Sequence, residues 1–544
     1  TKERYLFDPF GASSFYSGSG YFILYWVAIS MSKTIIIIGA GLAGLSAALQ
    51  AAENGCNVKL VSSLPSERAQ SVMAEGGINA ALNTKDENDS PEEHFTDTIK
   101  AACGLADPNA VWGMTQAAPE LVHWLLKLGV KFNMSGYDDV DLRNFGGQKK
   151  KRTAFAQSDT GKQIMTAMID AVRRKEASGM VERFSHHSFL TLRLCGNICC
   201  GCVIRDEYSQ ETVELPGDAV IVATGGMHGL FGNTTGSLSN TGEVTAELFR
   251  LGVPLANGEM IQYHPTTVKC GGKRMLISEA ARGEGGRLFA MKDGKQWYFM
   301  EEKYPELGNL MPRDITAREI WKVSHESEVF LDMTEISEEI ISNKLSGLAD
   351  DCMTYLHKDI RKEPVSVLPG IHYFMGGILV DEQHRTPIQN LYAAGECCAQ
   401  YHGANRLGGN SLLGALYGGR VAAKSACEQA DVVDLSCATQ IDFPPASQIS
   451  EIKQLNKVMQ ETMGVVRNEN TLLNGIQTVQ ALTGNLPLLG MAVLKSALAR
   501  KESRGAHWRE DYPKSNDDDY LKTTVARFDG KQIQISFVPV PERR

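Results

Sequence analysis

Histidine and arginine residues recur in short, glycine-rich stretches in the middle of the sequence. These stretches are His264-Pro265-Thr266, residues 278–286, Pro312-Arg313-Asp314, residues 372–377 and residues 402–406. Arginine carries a fixed positive charge and a fork of N–H donors, and a histidine ring adds a further donor. A group of such side chains in one cleft could hold a small dicarboxylate at both ends. Since the net charge of the chain is −9, this anion site has to be made locally, inside the cleft.

A second set of residues predicts a dinucleotide site. Thr34 to Ile38 is a continuous β-branched run, as expected for a strand buried on both faces of a parallel sheet. Gly39, Gly41 and Gly44 follow it, then a helical segment and a second strand at residues 58–61. In such a βαβ unit the three glycines permit the tight turn, the approach to the pyrophosphate and the packing of the helix. The helix N-terminus would then face the phosphates.

The ligand of this unit is interpreted as FAD rather than NAD. Two further strands, at residues 218–226 and 391–396, also end in or near glycine, an edge of the kind that flavoproteins use. Ser62 and Ser63 stand where the dinucleotide fingerprint places an acidic residue for the ribose. Their hydroxyl groups can serve the same contact.

A chain of 544 residues is too long for one core, so several domains are expected. The pattern predicts an α/β protein with a Rossmann-like FAD-binding domain, discontinuous at 31–262 and 370–430. An α+β capping domain at 263–369 is inserted in it. A helical domain at 431–510 and a small C-terminal domain at 511–544 follow. Residues 1–30 are interpreted as an N-terminal appendage, with an anchor at a membrane surface as the alternative.

Twelve cysteines in a chain of this size do not indicate a disulfide framework, so we expect a reduced, cytoplasmic protein. Four of them lie between residues 195 and 202, spaced too closely for zinc or iron–sulfur ligands. Gly196-Asn197 instead predicts a hairpin turn between two strands, and no metal site is expected. A pI of about 5.8 argues against nucleic acid or an anionic membrane surface as partner.

Further motifs extend the pattern and identify a family. They are Ala74-Glu75-Gly76-Gly77, Phe145-Gly146-Gly147-Gln148, Ala223-Thr224-Gly225-Gly226, residues 407–411 and residues 502–507. With the histidine and arginine stretches, they make the chain resemble the flavoprotein subunit of fumarate reductase and succinate dehydrogenase. The resemblance covers roughly residues 33–540, which is nearly everything except the N-terminal appendage.

The resemblance implies a fumarate reductase that passes hydride between flavin N5 and a central carbon of the substrate. Arg406 and His372 would bind one carboxylate, and His264 and Ser278 the other. Arg313 would donate or accept the proton, and Glu279 and Arg282 would relay it. Phe145 would also face the substrate. The flavin contacts implied are Gly39, Gly41, Gly44, Ser62, Gly76, Gly77, Asp159, Glu243, Glu396 and Ser411.

One departure from the family concerns the flavin linkage. Gln70 stands where membrane-bound members have a histidine bonded to the flavin, so FAD is expected to be held non-covalently. In the family the covalent link raises the flavin potential and favours succinate oxidation, so its absence tilts the prediction toward fumarate reduction. The alternatives are an L-aspartate oxidase, a reductase of another unsaturated carboxylate, and a flavin-binding electron carrier without turnover. Phe145 and Glu75 favour the reductase over the oxidase.

The electrons must come from a partner, because the sequence has no cysteine pattern for an iron–sulfur cluster and no haem motif. The family implies a separate iron–sulfur subunit as donor. A free reduced flavin or an NADH-linked donor is the alternative. Any attachment to a membrane is expected to be indirect, through such partners.

Overall fold

The computed structural model describes residues 32–136, 139–431, 441, 443 and 449–544. Within it, Lys33–Arg544 form one compact unit. A five-stranded parallel sheet lies at the centre, in the order Leu391–Ala393, Ala219–Val222, Thr34–Ile38, Asn57–Ser62 and Val181–Ser185. The predicted α/β class and the βαβ unit are therefore confirmed. The prediction for residues 1–30 lies outside the described residues.

The central strand of this sheet, Thr34–Ile38, is buried because helices cover one face of the sheet and a second sheet covers the other. Alternate residues of a strand point to opposite faces. Ile35 and Ile37 pack in one core with the helices Leu42–Glu53, Pro108–Leu128, Thr160–Ala177 and Asn410–Gln429. Ile36 and Ile38 pack in another with strands His187–Cys195, Ile198–Asp206 and Thr212–Pro216. The central strand thus holds the two halves of the domain together.

The predicted hairpin at the cysteine cluster is confirmed, whereas one cysteine departs from the expected reduced state. Cys195 pairs with Ile198 across the turn, and Gly196 has a φ of +60°, which a glycine adopts readily. Cys195 is disulfide-bonded. Cysteine spacing could not reveal this bond, because a disulfide requires proximity in space rather than in sequence. Among the described residues no group of side chains could hold a metal ion.

Residues 263–369 mix strands and helices around a core of their own. The strands of this region and its borders are Ile261–Cys270, Lys273–Leu276, Arg287–Lys292, Lys295–Trp297, Val329–Asp332, Val365–Ser366 and Leu368–Phe374. The helices are Glu279–Gly283, Phe299–Lys303, Arg313–Val323, Glu338–Lys344 and Ser346–Asp351. The mixture has the α+β composition expected of a cap, and the domain boundaries themselves stay predictions.

The last part of the chain is helical and then ends in a hairpin. Its longer helices are Ile449–Thr462, Glu469–Gln480 and Asn485–Ala499. The strands Lys522–Phe528 and Ile533–Pro539 pair with each other. Lys522–Phe528 also pairs with Leu255–Ala256, so the end of the chain adds strands to a sheet that begins near the middle of the sequence.

Candidate active site

One large cavity, about 970 Å³ in volume, lies at the carboxyl ends of the central parallel strands. This is where ligands bind in open α/β sheets. Its near end is lined by Gly39 and Gly41, which follow the strand Thr34–Ile38, and by Gly225 and Gly226, which follow the strand Ala219–Val222. Its far end carries His264, Arg313, His372 and Arg406 from the glycine-rich stretches. The cavity therefore joins the two sets of residues on which the sequence prediction rests.

The near end fits a dinucleotide because backbone, rather than side chains, forms its wall. A Cβ on Gly39, whose φ is +111°, would lie 2.3 Å from the Ala223 carbonyl oxygen. Only glycine is tolerated there. The Ser62 hydroxyl is buried in the cavity wall without a hydrogen-bond partner. A buried polar atom without a partner is costly, and a ligand hydroxyl would satisfy it.

Most of the predicted site residues line this cavity, and three do not. Those that line it are Gly39, Gly41, Ser62, Gln70, Gly76, Gly77, Phe145, Glu243, His264, Ser278, Glu279, Arg313, His372, Glu396, Arg406 and Ser411. Gly44 lies behind the turn, where a Cβ would be 1.8 Å from the Gly39 carbonyl oxygen, so it serves helix packing. Asp159 precedes the helix Thr160–Ala177, and Arg282 lies behind Glu279.

Two arginines share one buried carboxylate at the far end. The Arg313 Nη2 and Nε atoms donate to Glu279 Oε2 at 2.6 and 2.8 Å. Arg282 Nη2 donates to Glu279 Oε1 at 3.1 Å. Burial opposes ionisation of Glu279, but the two guanidinium groups outweigh it and keep the pKa of this carboxyl below its ordinary value. The arrangement can pass a proton between Arg313 and the carboxylate.

Arg406 is a buried cation without a matching carboxylate among the described side chains. It is 3% exposed, it stacks 4.3 Å above the centre of the Tyr373 ring, and its Nε atom has no hydrogen-bond partner. Burial, and then repulsion from Arg313, lower the pKa of Arg406 to about 9. Both effects favour binding of an anion beside it, since an anion supplies the missing charge and acceptors.

A local irregularity in two strands brings His264 and His372 together. Gln262 pairs with Tyr373 and Tyr263 with Ile371, which leaves His372 as an extra residue in its strand. Such a bulge re-aims a side chain, and the two imidazole rings lie 5.1 Å apart. Burial, then the charge of Arg313, hold the pKa of each well below its ordinary value. Both rings are therefore neutral and can donate one N–H each.

Two residues of the site were missed from the sequence. The Gln262 side-chain oxygen accepts from Arg313 Nη1 at 3.1 Å, and its amide nitrogen donates to the Arg406 carbonyl at 2.8 Å. It lies two residues before His264, a spacing that places both on one face of a strand, and this was the available signal. Thr235, whose hydroxyl lies 2.8 Å from His372 Nδ1, had no such signal.

The buried histidines predict a loss of stability in mild acid. His264, His372, His402 and His507 have pKa values well below 6.5 in the folded chain because they are buried. Below pH 6.5 the unfolded chain therefore binds protons that the folded chain does not, and the free energy of unfolding falls by about 1.4 kcal/mol per pH unit for each ring. Burial raises the pKa of Glu75 to about 8 and also raises the pKa values of Asp89, Asp97, Asp314 and Asp351, and these carboxyls act in the opposite direction.

Urea unfolding at pH 7.5, 6.5 and 5.5 tests this expectation. The urea concentration at the midpoint of unfolding should be lower at pH 5.5 than at pH 6.5. A midpoint that stays constant or rises over this interval would show that the rings are already protonated in the folded state.

Comparison with known proteins supplies the family. Residues 34–412 match the FAD binding domain family, and residues 482–543 match the fumarate reductase flavoprotein C-terminal family. The succinate dehydrogenase flavoprotein subunit of Bacillus subtilis is 38% identical over 94% of this chain and 98% of its own. The chain belongs to the succinate dehydrogenase/fumarate reductase flavoprotein family. FAD is the cofactor of its nucleotide-binding domain.

Other members of the flavoprotein family carry related names and share the fold. The flavoprotein subunit of the 8-methylmenaquinol:fumarate reductase of Wolinella succinogenes is 32% identical, over 94% of this chain and 92% of its own. Among solved structures, E. coli quinol fumarate reductase FrdA superposes with a TM-score of 0.85 at 27% identity, covering 94% and 97% of the two chains. Within the described part of the chain, no helix is long and apolar enough to span a bilayer.

Proposed function

We propose that this flavoprotein interconverts fumarate and succinate, working as a fumarate reductase with non-covalently held FAD. The observation that carries the proposal is the pair of buried arginines at the far end of the FAD cavity. Arg313 is bonded to a carboxylate through which it can exchange a proton, whereas Arg406 has none. One arginine is thus arranged for proton transfer and the other for anion binding.

The far end of the cavity can hold a four-carbon dicarboxylate at both ends. The Arg406 fork and a His372 N–H would bind one carboxylate, with a geometry that suits bidentate contact. His264, whose buried Nε2 has no partner, and the Ser278 hydroxyl would bind the other. Fixing both ends holds the central carbons in one orientation, which alone lowers the barrier by several kcal/mol.

Proton transfer is assigned to Arg313, with Glu279 and Arg282 behind it. FAD, when bound, supplies the two-electron chemistry. Arg313 would give its proton to a central carbon of fumarate in reduction and take one back in succinate oxidation. A neutral guanidine is costly, and the Glu279 carboxylate, 2.6 Å from Arg313 Nη2, can restore the proton at once. Arg282 holds the second oxygen of this carboxylate.

The proposal is tested by reducing the holoprotein with dithionite under nitrogen and adding fumarate. The oxidised flavin spectrum should return rapidly, with succinate as product. If fumarate has no effect and L-aspartate in air reduces the flavin with release of hydrogen peroxide, the protein is an oxidase instead.

The linkage of FAD is tested by acid precipitation. Gln70 lines the cavity, and its amide cannot form the carbon–nitrogen bond that a histidine ring makes to the flavin. All of the flavin is therefore expected in the supernatant after denaturation in trichloroacetic acid. A precipitate that keeps flavin absorbance through repeated washing would contradict this expectation.

Thr235 is expected to set the tautomer of His372. The Thr235 hydroxyl lies 2.8 Å from His372 Nδ1 and 3.4 Å from the Ile371 carbonyl oxygen, which already accepts from the Thr235 backbone N–H at 3.0 Å. The shorter contact favours donation of the hydroxyl hydrogen to His372 Nδ1. The ring proton then lies on Nε2, where it can be donated to a carboxylate. Thr235→Val keeps the shape and loses the donor. It should raise KM for fumarate about 5- to 10-fold, corresponding to one hydrogen bond of about 1 kcal/mol, with little effect on kcat.

Thr235→Ser is the matched control, because it keeps the hydroxyl group. Its KM should stay near the wild-type value. Equal KM values for the valine variant and the wild type would exclude this role. An equal rise in KM in the valine and serine variants would also exclude it.

The electron donor is proposed to be a separate iron–sulfur subunit. The relatives compared are named as subunits, and the cavity accounts for only one redox group. Membrane attachment would then come through partners. Efficient reduction of the isolated flavoprotein by NADH would favour a direct donor instead.

A further inference from the structure

Two cysteines outside the FAD cavity lie in direct contact. The Cys56 and Cys427 sulfur atoms are 2.9 Å apart. Cys56 follows the helix Leu42–Glu53 and is 6% exposed, whereas Cys427 lies near the end of the helix Asn410–Gln429 and is half-buried. Neither residue lines the cavity, and no part of the proposed mechanism uses them.

The contact follows from the close approach of these two helices. A Cβ on Gly419 would lie 2.2 Å from the Ala43 carbonyl oxygen, so the helix backbones touch. The Ser46 hydroxyl donates to the Leu416 carbonyl at 2.6 Å across the same interface. A disulfide requires closely spaced backbones, and this interface provides them with little movement.

The surroundings favour the thiolate of one member of the pair. A hydrogen bond from the Cys427 thiol, and the charge of Lys33, lower the pKa of Cys56 to about 7, against the opposing effects of burial and of Asp218. Lys33 is held in place, since its ammonium group donates to the Cys427 carbonyl at 2.7 Å. The hydrogen bond between the two sulfur atoms raises the pKa of Cys427. The thiolate is the reactive form of cysteine, so Cys56 would react first.

We propose that Cys56 and Cys427 are a redox modification site, at which a small peroxide forms a reversible disulfide between the two helices. The Cys56 thiolate attacks one peroxide oxygen, which forms a sulfenic acid and releases hydroxide. The Cys427 thiol then attacks the Cys56 sulfur, which forms the disulfide and releases water. In total two thiols are oxidised and hydrogen peroxide is reduced to two molecules of water.

The cross-link would join helices that both begin at the cavity. Leu42 and Ser411, in the first turns of the two helices, line the FAD site. The bond would connect the opposite ends of these helices. Oxidation of this pair is thereby linked to the elements that hold the cofactor.

Peptide mapping of the holoprotein tests the proposal. After treatment with hydrogen peroxide and alkylation, a proteolytic digest should contain a linked species that joins the Cys56 and Cys427 peptides, is lighter by two hydrogens than their sum, and is missing from the untreated sample. Reduction with dithiothreitol, followed by a second alkylation, should convert it to two alkylated peptides. Cys103, whose thiol donates to the Ala101 carbonyl, should stay alkylatable and serves as an internal control. Alkylation of both Cys56 and Cys427 after peroxide treatment would overturn the proposal.

A variant separates the two steps. Cys427→Ser keeps a hydrogen-bond donor beside Cys56 but removes the second sulfur. In this variant the Cys56 sulfenic acid should persist, and dimedone should label it, whereas the wild type should give little label. An unlabelled Cys56 in the variant would contradict its assignment as the reacting thiol.

Discussion

Replacement of Arg313 by glutamine is expected to lower kcat for fumarate reduction about 10³-fold, within the range that a general acid contributes. KM should change little, because Arg406, His372, His264 and Ser278 still hold both carboxylates. The glutamine amide can occupy part of the site, but it has no proton to give. Steady-state kinetics with a reduced viologen as electron donor would measure both constants.

Arg318→Gln is the matched control for this substitution. Arg318 lies on the same helix, Arg313–Val323, and stacks 4.0 Å above the Trp508 ring rather than facing Glu279. Its kcat should stay within about twofold of the wild type, as for most substitutions away from a site. An Arg313→Gln enzyme that keeps a wild-type kcat would remove Arg313 from the proton path.

The parts of this molecule that could be predicted are those with local signals. The strand Thr34–Ile38 and the glycines after it form one continuous stretch of sequence, so their spacing alone indicates the turn. The hairpin at Gly196-Asn197 is equally local. Each of these structures depends on backbone conformations that neighbouring residues determine.

The contacts inside the site are not local, and this limits what the sequence could show. Arg313 and Glu279 are 34 residues apart, and Gln262 and Arg406 are 144 apart. The family resemblance supplied the first pair. It gave no indication of Gln262, which contacts both arginines, or of Thr235, which depends on a strand bulge at His372. The Cys195 disulfide was unpredictable for the same reason.

Two of the residues that the resemblance assigned to the flavin, Gly44 and Asp159, do not line the cavity. A family motif marks positions that must not change, but it does not separate contact with a ligand from support of the backbone. Gly44 is required because the helix lies against the Gly39 carbonyl, and Asp159 lies outside the cavity wall. The glycine pattern thus predicts the cradle, while individual roles depend on the packing behind it.

The largest effect on substrate binding is expected from Arg406. Loss of one partner from a buried, hydrogen-bonded charge pair costs about 3 kcal/mol, so Arg406→Gln should raise KM for fumarate roughly 100-fold. Arg406→Lys keeps the charge but not the bidentate fork, and should fall between the glutamine variant and the wild type. Binding of malonate, followed through the flavin spectrum, gives the dissociation constant independently of turnover.

Arg420→Gln is the control for loss of an arginine, because Arg420 lies on the helix Asn410–Gln429 and stacks on Trp124, 4.8 Å from the ring centre. It should bind malonate like the wild type. If Arg406→Gln also bound malonate normally, the carboxylate would have to be held elsewhere. Arg406 would then stay a buried cation without a bound anion, although its Nε atom has no hydrogen-bond partner and its lowered pKa favours binding of an anion.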